Sequence, residues 1–366
     1  MLVAINLMAR SGDDETARMM ESLCLQLAAM RPDDRFLFFS GESGKGNTDT
    51  SNITRIVIGP ATFSRSTRWY EFRLKQMLHR LNPDCVLHTD GIPLSGCRIR
   101  QYAVLPFANA PMLHALNPSY RNSMQKRLPF LLKKAGGIIG FWPETKAYLE
   151  STVKAPISNF HNLPWPGYSL SGNKSFFDKE QTRQTYTDGK EYFVYSCGTG
   201  EQHNLINLLK AFTLFKTRQK SNMLLVLLLD KPDEALKRKL DNYHFKDELR
   251  IIAGADATTR QSVIHAAYAW ISAATATYCL QEIVLALQLR VPVLFSELPG
   301  VTEQFPGAVD TFRADVPADI AQKMMRIFKD EAFRNSLIEA GTRLADPMDP
   351  ARTTQELWQL LDTARV

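Results

Sequence analysis

The chain has 366 residues, of which 45% are hydrophobic and 22% charged, with a formal net charge of +6, which places it among ordinary globular proteins with two domains as the expectation. Its longest uninterrupted apolar run, residues 223–229, is far too short to span a bilayer. Five scattered cysteines at 24, 85, 97, 197 and 279 have no Cys-x-x-Cys or Cys/His spacing, which argues against a zinc site or a disulfide framework and for reduced thiols in a cytoplasmic protein.

In chain order, Met1-Leu-Val-Ala-Ile-Asn has no basic flank or cleavage site and reads as a first strand over residues 2–7. A helix over 14–30 follows, then strands at 35–40, 53–58, 85–88, 102–105 and 137–141, each separated by a helix or long loop. This is the βαβ rhythm of a doubly wound domain. Arg65, Arg68, Arg73, Lys75 and Arg80 flank one helix, and Arg121, Lys126, Arg127, Lys133 and Lys134 line another. Interleaved Trp69, Tyr70 and Phe72, or Met124, Leu128 and Phe130, would let either helix lie on an anionic membrane surface. The alternative is a solvated basic face on core-packed helices. No nucleic-acid-binding motif accompanies the charge.

Residues 158–172 read as irregular, with Pro164-Trp165-Pro166-Gly167 suited to a domain boundary. A second series begins with a helix over 178–186, a strand at 192–197, a helix from Asn204 and a strand at 223–229. It continues with a helix from Pro232, a strand at 250–253, a helix over 259–268 and a buried strand from Trp270. An irregular turn at 275–281, an amphipathic helix and a strand from Arg290 complete one unit of an open parallel sheet. Ligands of such sheets sit at the carboxyl ends of strands, so this turn is where a ligand is expected. A strand near Asp310, helices from Pro317 and Asp330, and a last helix over 352–363 with a stripe of Leu357, Trp358, Leu360 and Leu361 close the chain.

Gly41-Glu-Ser-Gly-Lys-Gly-Asn-Thr has the Gly-Lys pair of a P-loop but neither its spacing nor the Ser or Thr after the lysine, and reads as a surface loop. The second half resembles the C-terminal domain of family-4 glycosyltransferases in Asp178-Lys-Glu-Gln-Thr-Arg-Gln-Thr-Tyr, Lys190-Glu-Tyr-Phe-Val-Tyr, Gly198-Thr and Asn204-Leu-Ile-Asn-Leu-Leu-Lys-Ala-Phe. It continues in Arg290-Val-Pro-Val-Leu-Phe-Ser, Leu298-Pro-Gly-Val-Thr-Glu and Ile327-Phe-Lys-Asp-Glu-Ala-Phe. In the first half, Arg68-Trp-Tyr-Glu-Phe-Arg-Leu before Leu81-Asn-Pro-Asp-Cys-Val-Leu-His fits as well. The resemblance implies an α/β GT-B fold, two Rossmann-like doubly wound domains facing a central cleft. Residues 1–170 would be the acceptor-side domain, 171–350 the donor-side domain, and 351–366 a helix crossing back onto the first.

The departures from the family fall on its functional positions. Its Glu-Gly-Phe-Gly turn and second glutamate, eight residues on, become Thr277-Tyr-Cys-Leu and Leu285. In the family the first carboxylate lies beside the donor sugar and the second holds the ribose. Thr277 brings no charge, Leu285 cannot hydrogen-bond a ribose, and Tyr278 and Leu280 carry side chains where backbone should come close. Glu282 would favour the helix dipole but repel a phosphate. The family's cationic Arg or Lys after the strand at 192–197 becomes Gly198-Thr-Gly-Glu-Gln-His-Asn, leaving His203, with Lys231 as another phosphate partner. In the first domain the glycine-rich loop becomes Ser11-Gly-Asp-Asp-Glu, a His-Asp pair falls on Pro106-Phe107, and a Ser-Glu pair on Trp142-Pro143.

Donor-binding candidates are therefore Thr199, Gln202, His203, Asn204, Lys231, Thr277, Tyr278, Gln281 and Glu282, and acceptor-side candidates Gly12, Asp13 and Trp142. No metal or cofactor is implied; a nucleotide-diphosphate sugar is the implied donor, and a glycan or lipid-linked acceptor, a partner glycosyltransferase and peripheral contact with the inner face of the membrane are the implied partners. The reading is a glycosyltransferase-family protein of cell-envelope or exopolysaccharide synthesis with weak or lost transfer, because loss of carboxylates and cations together removes the electrostatic stabilisation of transfer. The alternatives are an active retaining, metal-independent glycosyltransferase with a divergent donor site, and an unrelated small-molecule binder.

Overall fold

The computed structural model describes residues 1–7, 14–40, 51–58, 67–105, 121–128, 135–168, 178–197, 204–229, 234–275, 279–298 and 300–364. The chain forms two compact units, Met1–Pro166 with Asp349–Val366, and Gly167–Met348.

In the first unit, β1 (Leu2–Asn6), β2 (Arg35–Ser40), β3 (Ile53–Val57), β4 (Cys85–His88), β5 (Arg100–Val104), β6 (Gly137–Gly140) and β7 (Phe160–Asn162) make one sheet in the order β3-β2-β1-β4-β5-β6-β7. Every pairing is parallel. Helices α1 (Asp14–Met30), α2 (Thr67–Leu81), α3 (121–128) and α4 (Pro143–Val153) belong to the same unit. Tyr70, Leu74 and Leu78, spaced along one face of α2, pack with Ala4, Leu37, Phe39 and Val86 of the sheet. Strand β7 lies within the stretch expected to be irregular. Three residues at the edge of a sheet, two half-buried and one exposed, are too few to show alternation.

In the second unit, β8 (Tyr192–Tyr195), β9 (Leu224–Leu229), β10 (Leu249–Ala253), β11 (Ala269–Ser272), β12 (Val293–Ser296) and β13 (Val309–Phe312) make an all-parallel sheet in the order β10-β9-β8-β11-β12-β13. All six residues of β9 are buried, as expected of a central parallel strand covered on both faces. The helices are α5 (Lys179–Thr187), α6 (Leu205–Gln219), α7 (Glu234–Asp241), α8 (Ala257–Ala266), α9 (Leu280–Gln288), α10 (Val301–Gln304), α11 (Pro317–Lys329) and α12 (Glu331–Ala345). The Asp178 carboxylate caps α5 by accepting from the Glu180 and Gln181 amides.

The last helix, α13 (Pro350–Asp362), packs on α1 within the first unit. Leu357, Trp358 and Leu361 are buried there, while Leu360 is half-buried. Arg31 lies 4.4 Å over the Trp358 ring, Tyr102 donates to the Leu360 carbonyl at 3.2 Å, and Arg100 to the Thr363 carbonyl at 2.8 Å. Among the described residues no helix is long and apolar enough to cross a membrane.

Candidate functional site

Each sheet reverses its strand order once, between β1 and β4 in the first unit and between β8 and β11 in the second. Doubly wound sheets bind ligands beyond the carboxyl ends of their strands at such reversals. In both units a buried polar network occupies that point.

In the second unit the network centres on Ser196, which directly follows β8. Its hydroxyl accepts from the Trp270 indole N–H at 2.7 Å and donates to Oε2 of Glu282. Arg260, on the first turns of α8, donates from Nη2 to the Ser196 carbonyl and to Oε1 of Glu282, the latter at 2.7 Å. Helix α8 is itself capped by Asp256, which accepts from the Thr259 amide at 2.7 Å, a bond that holds the carboxyl below its ordinary range. Burial works against the charge on Arg260, but the Glu282 carboxylate beside it outweighs that and holds the guanidinium above its usual value. Charges taken this far out of water persist only when paired and hydrogen-bonded, and this pair is both.

Around the pair, the thiol sulfurs of Cys197 and Cys279 lie 2.8 Å apart, both buried and unoxidised. Cys279 precedes α9 at φ +44°, a left-handed position that glycine would occupy without strain. Leu280 and Leu285 of α9 are buried, Leu285 to 1% exposure. Tyr168 donates its hydroxyl to Gln281 Oε1 at 3.0 Å, and its amide to Gln288 Oε1 at 2.8 Å.

Of the donor-side residues expected from sequence, the structure brings Gln281 and Glu282 together on the first turn of α9. Asn204 sits just before α6 and donates to the Ala314 carbonyl at 2.8 Å, tying the start of that helix to the segment after β13. Thr199, Gln202, His203, Lys231, Thr277 and Tyr278 lie outside the described residues, as do Gly12 and Asp13. Trp142 is buried before α4, its ring 4.9 Å from that of Trp165. The expectation that Glu282 repels a phosphate needs correction, because Arg260 neutralises it. Arg260 escaped the sequence reading because it is one arginine among many on helix surfaces, distinguished only by contacts with residues 64 and 22 positions away.

In the first unit, Asn6 and His88 end β1 and β4. Asn6 Nδ2 donates to His88 Nδ1 at 3.2 Å and the opposite ring nitrogen meets Gln101 Oε1 at 2.9 Å. Tyr70 donates to Asn6 Oδ1, and Thr89 to the Asn6 carbonyl, both at 2.9 Å. These side chains are fully buried or nearly so.

No protein-family model matches the sequence, and no curated protein matches it. Among solved structures, sucrose-phosphate synthase from Thermosynechococcus elongatus is similar over 99% of this chain and 98% of its own, with a TM-score of 0.73 at 14% identity. HepE from Anabaena, in complex with UDP and glucose, is similar over 99% and 100%, with a TM-score of 0.72 at 12% identity. WaaG, a glycosyltransferase involved in lipopolysaccharide biosynthesis, covers 99% of both chains with a TM-score of 0.70 at 13% identity. The chain has the GT-B glycosyltransferase fold. In GT-B terms the two sheets are its two Rossmann-like domains, and the Ser196–Arg260–Glu282 network lies at the switch point of the second.

Proposed function

We propose that this protein takes a nucleotide-diphosphate sugar at the carboxyl ends of its second sheet and has little or no transfer activity of its own. The Gly167–Met348 unit would be the donor side and the other unit the acceptor side. The observation that carries the reading is the state of α9. Its one carboxylate, Glu282, is committed to Arg260 and Ser196, and Leu285 is buried and apolar where the resembled family holds the ribose with a glutamate. Nucleotide binding draws support from HepE, solved with UDP and with UDP-glucose. A role in envelope or exopolysaccharide synthesis, beside an active glycosyltransferase, draws support from the likeness to WaaG. Contact with an anionic membrane surface would run through α2, where Trp69 and Phe72 are exposed beside Arg73.

A second reading, an active retaining transferase with a divergent donor site, is favoured by one observation: Arg260 is a fixed cation at the switch point. Calorimetry with UDP, GDP and ADP, combined with an assay of nucleotide release from their glucose and mannose esters, separates the two. Micromolar binding without release above the buffer background is the expected result. Release above background would replace the first reading by the second, and the absence of binding at millimolar nucleotide would refute both.

A further inference from the structure

We propose that Arg260 is the diphosphate-binding cation of the second unit, with Glu282 as the side chain that positions it. The proposal rests on the reading that this unit binds a nucleoside diphosphate, and it names the group that would meet the phosphates.

Four observations on the structure converge. First, the guanidinium donates to the carbonyl of Ser196, and Glu282 lies on the first turn of α9. Arg260 therefore bridges the segment after β8 and the first turn of α9, beside the strand reversal where a doubly wound sheet receives its ligand. Second, both of its hydrogen bonds leave from Nη2, while a guanidinium presents five N–H donors. Among the described residues Nε and Nη1 make no hydrogen bond, and the side chain keeps 22% exposure, so N–H donors on either side of Nη2 are left for single hydrogen bonds to phosphate oxygens. Third, Glu282 does not oppose an anion as a lone carboxylate would. Its two oxygens are taken by Arg260 and Ser196, so the pair presents no net negative charge and the fork is held in one orientation. Fourth, the loop at 198–203 contains no lysine or arginine, and its histidine is a switchable charge rather than a fixed one. A guanidinium stays charged throughout the physiological range.

The geometry gives the two partners opposite effects on an anion. Removing the charge of Glu282 leaves Arg260 unneutralised, whereas removing the charge of Arg260 takes away the phosphate partner. A purely architectural ion pair would not show opposite signs, since loss of either member damages the fold in the same direction.

The test is calorimetric titration of the full chain with UDP and with uridine, for the native protein, Glu282→Gln, Arg260→Gln and the doubly neutral Arg260→Gln with Glu282→Gln, each accompanied by its urea midpoint. The double variant has no orphaned buried charge and keeps the comparison available where Arg260→Gln alone fails to fold. Glu282→Gln is expected to tighten UDP several-fold. The double variant is expected to weaken UDP about tenfold relative to the native protein while leaving uridine unchanged. If the double variant binds UDP within about twofold of the native protein, or loses UDP and uridine equally, Arg260 is not the phosphate partner, although the unit still binds nucleotide. If the native protein binds no nucleotide at millimolar concentration, the reading beneath the proposal falls with it.

Discussion

Asn6 and His88, 82 positions apart in sequence, are in-register neighbours at the ends of β1 and β4 and share a buried hydrogen bond of 3.2 Å. Because an amide nitrogen can only donate, His88 Nδ1 is the acceptor and the ring proton sits on Nε2, facing Gln101. His88→Leu removes an acceptor of Asn6 Nδ2 in a region closed to water, while Gln101 Oε1 keeps the Leu94 amide as a donor at 2.7 Å. A loss of about 1–3 kcal/mol in urea unfolding is expected, since a buried donor that loses its acceptor costs more than the bond was worth. His88→Gln, able to restore one contact, should lose less. Equal stability of the Leu variant and the native protein would show that the network contributes nothing.

Gln288 reaches the two places where the chain passes between its units: its oxygen accepts from the Tyr168 amide and its nitrogen donates to the Met348 carbonyl, each at 2.8 Å. Gly167 makes this approach feasible. It has φ +59°, and a Cβ there would lie 2.5 Å from the Met348 carbonyl oxygen. Gly167→Ala should therefore cost about 2–3 kcal/mol by strain and collision, and Gln288→Leu about 1–3 kcal/mol by lost partners. Amide exchange at Tyr168 should accelerate in the Gln288 variant; an unchanged rate there would mean that the clamp does not hold this segment.

Much of the fold is legible in the sequence because parallel strands buried on both faces read as apolar runs. Leu224–Leu229 is such a run, and the helix start at Asp178 is legible through its capping carboxylate. The two switch-point networks are not legible. Asn6 and His88 are single polar residues in otherwise apolar strands, Gln101 follows Arg100 at the start of β5, and only the register of β1, β4 and β5 makes the three neighbours. Glu282 was visible as a residue of the expected site, but its role depends on Arg260, and no sequence spacing links α8 to the start of α9. Tyr168 and Gln288 were missed for the same reason.

The cysteines give a pH prediction with a defined sign. Burial, helped by Asp84 and opposed by Arg100, pushes the Cys85 thiol from an ordinary value near 9.0 up to about 12, and burial pushes Cys24 further in the same direction. The folded state thus keeps protons that the unfolded chain gives up. Their contribution to stability is complete below about pH 9 and lost as pH rises towards 12. Each thiol should remove about 1.4 kcal/mol per pH unit inside that window, and Cys85→Ala should flatten the decline. Half-buried Cys97 is also raised, yet it is more exposed than either. Alkylation of the native protein followed by peptide mapping should find Cys97 modified before Cys24 or Cys85; the reverse order would contradict the burial argument.

The exposed face of α2 carries the prediction on membranes. Trp69 is 44% and Phe72 59% exposed, three residues apart, and the Arg73 guanidinium lies 5.9 Å from the Trp69 ring. Arg80 is exposed one further stretch along the helix, whereas Tyr70, Leu74 and Leu78 turn into the core. Aromatic rings beside cations suit the headgroup region of an anionic bilayer, where the rings gain an apolar setting and the cations meet phosphate. The protein should co-sediment with vesicles containing phosphatidylglycerol and not with purely zwitterionic ones. Because Trp69 and Phe72 leave the core untouched, replacing both by alanine should lower vesicle binding about tenfold without moving the urea midpoint. Added salt should weaken what binding remains, since the arginine contribution is screened within about 10 Å at 0.1 M. Undiminished binding by the double variant would assign the two exposed aromatics to solvent instead.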